Sequence, residues 1–138
     1  MAIVGGSSTQ IDDIVDKDYG IIYQTPDGRS DFDIIIPRNT RVAETTTNPS
    51  QGVGPHSPEY SLTRDRPERV RVVIGERAQG SVTPIYNTEI NVNPLSKRYT
   101  IYMSVDPKTG MLKVSVWDED MHRSAQSFNT PIKSDKES

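Results

Sequence analysis

The sequence predicts an all-β fold, an antiparallel β-sandwich of two packed sheets with little or no helix. Three observations carry that expectation. Tyr99, Ile101, Met103 and Val105 alternate with polar or smaller residues, and after a loop Leu112, Val114 and Val116 alternate with Lys113, Ser115 and Trp117. The loop between them, Asp106-Pro-Lys-Thr-Gly110, places Pro and Gly at turn positions, so the whole run reads as a β-hairpin. The remaining breaks between apolar segments also carry Pro or Gly, and the periodicities over residues 19–118 lie near two rather than near the helical repeat.

Each element follows in order. Residues 1–18 are small, polar and acidic. Ile11, Ile14 and Val15 share a helical spacing, but Asp12, Asp13, Asp16 and Asp18 favour a linker or a short capped helix. Residues 19–25 read as a strand entering the turn Pro26-Asp27-Gly28, where Pro fixes φ and Gly accepts a positive φ. Residues 32–36 form a strand ending at Pro37, and Asn39 suits the turn beyond it. Residues 41–47 are rich in β-branched side chains and are expected to be strand-like. Residues 48–58 hold three prolines, two glycines and one valine. Little there offsets the cost of ordering a packed element, so a long surface loop is expected. Residues 69–74 are close to a continuous apolar run, Ile90 and Val92 alternate with polar neighbours, and a last strand is expected at 125–130. Residues 133–138 are polar and charged, and the tail over 131–138 is expected to be disordered. One domain over 19–130 accounts for the pattern.

Composition narrows the function classes. The chain has 138 residues, 33% hydrophobic, with 16 basic and 19 acidic side chains and a net charge of −3. The mixed charge argues against a surface built for nucleic acid or membrane. There is no cysteine, which excludes disulfides, thiolate-bound metal and thiol catalysis and is compatible with a reducing, cytoplasmic setting. No apolar run approaches the length of a membrane-spanning helix, and no signal peptide is legible. The abrupt start, Met1-Ala-Ile-Val-Gly-Gly-Ser, reads as a cut inside a longer protein.

Catalytic patterns are sparse. Val4-Gly-Gly-Ser-Ser-Thr9 lacks the Gly-Lys-Ser/Thr ending of a phosphate-binding loop, and neither a Gly-x-Ser-x-Gly nor a His-Glu-x-x-His is present. His56 sits in the Pro/Gly loop. His122 follows Asp118, Glu119 and Asp120, where an exposed histidine is a better reading than a metal ligand. The acids after the hairpin read as solvation of a strand end. The chain is expected not to be an enzyme and to hold no metal or cofactor of its own. Trp117 reads as an exposed strand aromatic or as the cover of a second small cluster.

Four segments, in a fixed order, resemble the substrate-binding domain of DnaK-type, 70-kilodalton heat-shock chaperones. Tyr19-Gly20-Ile21 resembles the Leu-Gly-Ile step that opens that domain, with Asp13 where the family's interdomain linker ends. Ile34-Ile-Ile-Pro-Arg-Asn-Thr40 resembles its apolar strand and Lys/Arg-Asn-Thr turn. Val70-Arg-Val-Val-Ile-Gly-Glu-Arg77 resembles its valine-rich strand ending in Gly-Glu-Arg. The hairpin over 101–118 resembles its Asp-x-x-Gly turn followed by Leu-x-Val-Ser-x-x-Asp. Residues 1–18 then resemble the end of an ATPase domain and the linker after it.

The resemblance implies a non-enzymatic module that holds an unfolded or extended polypeptide, by main-chain hydrogen bonds and a pocket for one apolar side chain. It implies partnership with the protein's own ATPase domain, where ATP and magnesium would belong, and with a J-domain co-chaperone; no nucleic acid or membrane is implied. Carried over position by position, the peptide-binding residues are Ile21, Tyr23, Gln24, Ser61, Leu62, Glu68 and Val70. Ile21 and Val70 would face the groove, and Ser61 and Leu62 lie in the arch strand over 60–63. The family's pocket-floor valine falls on Glu68, which strand alternation would set on the same face as Val70 and Val72. The segment 64–69, with five charges in six residues, reads either as a solvated turn or as a charged groove rim of Arg64, Arg66 and Glu68. The alternative to a chaperone module is a protein-interaction β-sandwich with an altered groove.

Overall fold

A computed structural model describes residues 13–132. They form two antiparallel sheets with no α-helix among the described residues. The expectations for residues 1–12 and for the tail at 133–138 lie outside the described residues, whereas at the start of the expected tail Pro131 ends a strand and Ile132 packs against the core.

Among the described residues eight strands make up the sandwich: β1 (Asp18–Gln24), β2 (Ser30–Ile36), β3 (Arg64–Arg66), β4 (Arg69–Arg77), β5 (Val82–Asn91), β6 (Tyr99–Val105), β7 (Met111–Asp118) and β8 (Arg123–Pro131). The first sheet runs β2-β1-β4-β3, with β5 on the other edge of β4; the second runs β6-β7-β8. Strand alternation builds the core between them. Tyr19 and Ile21 of β1, Val70, Val72 and Ile74 of β4, Ile90 of β5, Tyr99, Ile101 and Met103 of β6, and Leu112, Val114 and Val116 of β7 are all buried in one cluster. At one seam the rings of Tyr86 and Phe128 stack 5.1 Å apart, bridging β5 and β8.

The hairpin expected at 99–118 is present in the register its alternation implies, with Ile101 opposite Val116 and Met103 opposite Val114. Gly110 has φ of 71° and donates its N–H to Asp106 O at 2.8 Å, closing the turn. The last strand is longer than expected, from Arg123 to Pro131. Trp117 lies outside the main cluster and is only 8% exposed, with its ring edge-on to His122 at 5.4 Å. Of the two sequence readings, the exposed strand aromatic is therefore not realised.

Two local expectations need correction. Residues 41–47 are not a strand, since Val42–Thr45 is a 3-10 turn. The fully buried Thr45 hydroxyl donates to Val42 O at 2.8 Å and accepts from Val105 N at 2.9 Å. That side-chain bonding to nearby backbone outcompetes the β-propensity of its neighbours. Residues 48–58 include a 3-10 turn at Pro49–Gln51, but the end of this stretch is anchored. Ser57 is buried, its N–H donates to Ile101 O at 2.9 Å and its Oγ accepts from Ile101 N at 3.0 Å. Bridges at His56–Tyr102 and Tyr60–Tyr99 continue the contact along β6. The segment therefore covers an otherwise open sheet edge. Between Asp13 and Lys17 the chain is not a helical turn: Val15 exchanges hydrogen bonds with Thr40 O and Asn39 N at 2.9 and 2.7 Å, and Ile14 bridges Arg41.

Candidate binding cleft

The first sheet opens along one edge of β4. Strand β1 pairs with β4 from Asp18–Arg77 to Ile22–Val73, and beyond Ile22 it keeps only its other partner, β2. Strand β3 joins the same edge of β4 further along, at Val70 and Arg69. Between these two pairings lies a cleft of about 730 Å³. Ile22 and Val73 line it from the sheet, Tyr23, Gln24 and Pro26 from the end of β1, and Tyr60, Ser61 and Leu62 from the arch that precedes β3. Glu59, Asp65 and Arg71 add charge to the lining.

The arch is hydrogen-bonded at its two ends, and in its middle the buried Leu62 side chain packs against the core. Tyr60 and Tyr99 exchange both main-chain hydrogen bonds, at 2.8 and 2.9 Å, and Thr63 O accepts from Arg71 N at 2.9 Å. The backbone groups of Ser61 and Leu62 have no hydrogen-bond partner among the described residues. Main-chain donors and acceptors beside a cleft, without a partner in the fold, are the elements that strand addition uses.

A tyrosine pair forms one wall. The rings of Tyr23 and Tyr60 lie 5.1 Å apart, tilted by 35°. Each hydroxyl donates to a carboxylate of β2, Tyr60 to Asp33 and Tyr23 to Asp31, the latter at 3.4 Å. Burial, reinforced by the hydrogen bond to Asp33 and by that carboxylate's charge, raises the Tyr60 pKa far above the usual tyrosine range. Tyr23 is shifted in the same direction by burial and by the charges of Asp33 and Asp31. Both phenols therefore stay protonated as donors at neutral pH, fixing the rings. Arg71 is held by Asp65 at 2.5 Å and by Glu89 at 3.6 Å. The cleft thus offers an apolar floor, an aromatic wall and a rim whose charges are largely paired.

The residues carried over from the resemblance separate into two groups. Tyr23, Gln24, Ser61 and Leu62 line this one cleft. Ile21 and Val70 do not face it; they are 1% and 0% exposed, inside the core. The physical reason is the two-residue repeat of a strand: with Ile21, Val70 and Val72 turned inward, Ile22, Arg71 and Val73 must turn to the other face, where the cleft lies. Glu68 is also elsewhere. It occupies the tight turn between β3 and β4, exposed to solvent, where Pro67 has already ended the alternation that would have aligned it with Val70. Arg66 is exposed at the start of that turn, and Arg64 points away from the cleft toward Ser96 and Tyr99. So neither Arg64, Arg66 nor Glu68 forms a rim. Ile22, Tyr60, Asp65, Arg71 and Val73 were not singled out from the sequence; for Ile22, Arg71 and Val73, alternation against Ile21 and Val72 was the available signal.

Among the described residues no group of acids and histidines is arranged to hold a metal ion, and no helix is long and apolar enough to cross a membrane. Compared with known proteins, the chain matches no family model and no curated protein.

Proposed function

We propose that this chain is a peptide-binding module of DnaK type, which holds an extended, apolar polypeptide segment in the cleft between the end of β1 and the arch over residues 60–63. The single observation that carries the reading is the unpartnered backbone of Ser61 and Leu62 beside an apolar and aromatic cleft. An extended peptide placed there would gain main-chain hydrogen bonds from the arch and bury one side chain against Ile22, Leu62 and Val73. The ordered resemblance of four segments to the chaperone family supports it. With that reading come a cytoplasmic setting, an ATPase domain of the same protein as the site of ATP and magnesium, and a J-domain co-chaperone as partner. The closed packing of Ile21 and Val70 favours a second reading, a protein-interaction sandwich with a shallower groove, in which the cleft takes a strand from a folded partner.

Binding of a fluorescent seven-residue peptide with a central Leu, followed by anisotropy, tests the first reading. Dissociation constants in the range of tens to hundreds of micromolar are expected, because a cleft that the described residues leave open releases its ligand quickly. The same peptide N-methylated at its central residues should bind at least about tenfold more weakly, since it loses main-chain donors. The Tyr23→Ala variant should weaken the unmethylated peptide by a similar factor. Equal binding of the methylated and unmethylated peptides would overturn strand addition. No binding of either at millimolar concentration would leave only the second reading.

A further inference from the structure

The arch that forms one wall of the cleft has only three residues between its anchors, Tyr60 and Arg64, and both anchors meet at one buried residue, Tyr99. At its start, the Tyr60 backbone pairs with the Tyr99 backbone. At its end, immediately after Thr63, the half-buried Arg64 spreads its guanidinium over three acceptors. Nη1 donates to Pro67 O, Nη2 donates to Ser96 O, and Nη2 also donates to Tyr99 Oη at 2.9 Å. The guanidinium carbon sits 5.9 Å from the centre of the Tyr99 ring. Tyr99 Oη in turn donates to Ser96 O at 3.1 Å. Tyr99 and Ser96 are both fully buried. The three acceptors lie on separate segments: the β3–β4 turn, the loop after β5 and strand β6.

The geometry points to Arg64 as the positioning residue of the cleft: a fork that ties the end of the arch to Tyr99 and Ser96, and so fixes where Ser61 and Leu62 present their free backbone groups. This rests on the peptide-binding reading of the cleft and adds to it the element that sets its width. The assignment depends on the chemistry of arginine in particular. A planar guanidinium can donate along two directions at once while its face lies against an aromatic ring; a lysine ammonium cannot reproduce that arrangement. The charge itself is not aimed at the cleft, so Arg64 acts on a ligand only through the arch. That separates it from the rim role the sequence allowed for the same residue.

Arg64→Lys is the decisive variant, because it keeps the charge and removes the fork. Tyr99→Phe is the second; it removes only the hydroxyl and keeps the ring in the core. Two readouts are taken on each, using the whole chain. One is the affinity for the Leu-centred peptide at low and high salt. The other is amide exchange at Tyr60 and Arg71, whose N–H groups bond to Tyr99 O and Thr63 O at the two ends of the arch, with Val114 and Val116 in β7 as controls. Peptide affinity is expected to fall about tenfold in Arg64→Lys and less in Tyr99→Phe. Exchange at Arg71 should speed up by a similar factor while Val114 and Val116 keep their protection. The salt dependence of binding should be that of the unmodified protein.

Faster exchange at Arg71 with unchanged β7 protection supports the tether even if the unmodified protein binds no peptide, in which case it is the function of the cleft that falls. Lower affinity with unchanged exchange at Arg71 would mean that Arg64 meets the ligand directly and would overturn the positioning role. Unchanged affinity together with unchanged exchange would overturn it outright. So would an equal loss of protection at Val114 and Val116, which would make Arg64 a general stabilising residue.

Discussion

Replacing Gly20 by alanine is expected to destabilise the fold by about 4 kcal/mol or more, a size reserved for a few mechanisms. Gly20 sits at a bulge in the β1–β2 pairing, where the register moves from Tyr19–Ile36 to Gly20–Ile34. A Cβ built on it would lie 1.9 Å from the backbone oxygen of Asp33 and 2.8 Å from the carbonyl carbon. The obstacle is main chain inside a ladder, so relief requires the two strands to part. Gly75 faces Gly20 across the β1–β4 pairing and makes an instructive contrast. There a Cβ would meet Ile22 Cδ1 at 2.7 Å, the far end of a side chain that can move. Gly75→Ala should therefore cost about 1–3 kcal/mol, the ordinary range for overpacking. Thermal or denaturant unfolding of the two variants measures the difference. Similar stabilities for both would show that the close approach at Gly20 does not exist in solution.

Ile21→Ala should remove about 2–4 kcal/mol of stability, the cost of truncating an enclosed aliphatic side chain and leaving a cavity. Ile21 is 1% exposed and packs in the cluster shared by both sheets. Had it lined an open groove, truncation would spare the fold and weaken peptide binding. The two placements therefore predict opposite results in one denaturant titration. A midpoint close to that of the unmodified protein, with weakened peptide binding, would return Ile21 to the groove. Ile22→Ala provides the complement. Ile22 is half-buried and lines the cleft, so its truncation should act more on binding than on stability.

The parts of the fold legible in the sequence are those where burial is strictly one-sided. In the β6–β7 hairpin Ile101, Met103, Leu112, Val114 and Val116 are completely enclosed, and their alternation fixed both the pairing and its register. Strand β5 was legible only at Ile90, because along Val82–Asn91 the other residues are exposed or half-buried at an open edge. An edge strand that covers little need not alternate. Residues 41–47 misled because β-branched composition records a preference for strands, whereas a single buried threonine hydroxyl settled the local conformation.

The candidate site was half legible for a related reason. Tyr23, Gln24, Ser61 and Leu62 occur at the end of β1 and in the arch, and it is the resemblance that assigned them to one site. Ile21 and Val70 lie inside regular strands, where the choice of face depends on which sheet surface is closed by the second sheet. That choice is tertiary, and a one-residue difference reverses it: Ile22 and Val73 face the cleft while Ile21 and Val72 fill the core. Arg64 offered no local signal at all. Its partners Ser96 and Tyr99 are 32 and 35 residues away, so its charge in the sequence could only be read as a surface feature.

Whether the arch and the end of β1 hold an extended peptide is read from amide chemical-shift mapping while the Leu-centred peptide is titrated into the isotopically labelled chain. Saturable shifts are expected at Tyr23, Gln24, Ser61, Leu62 and Arg71, with little change at Val70, Val116 or Glu68. Shifts confined to the opposite face around Trp117 and His122, or no shifts at millimolar peptide, would contradict binding there.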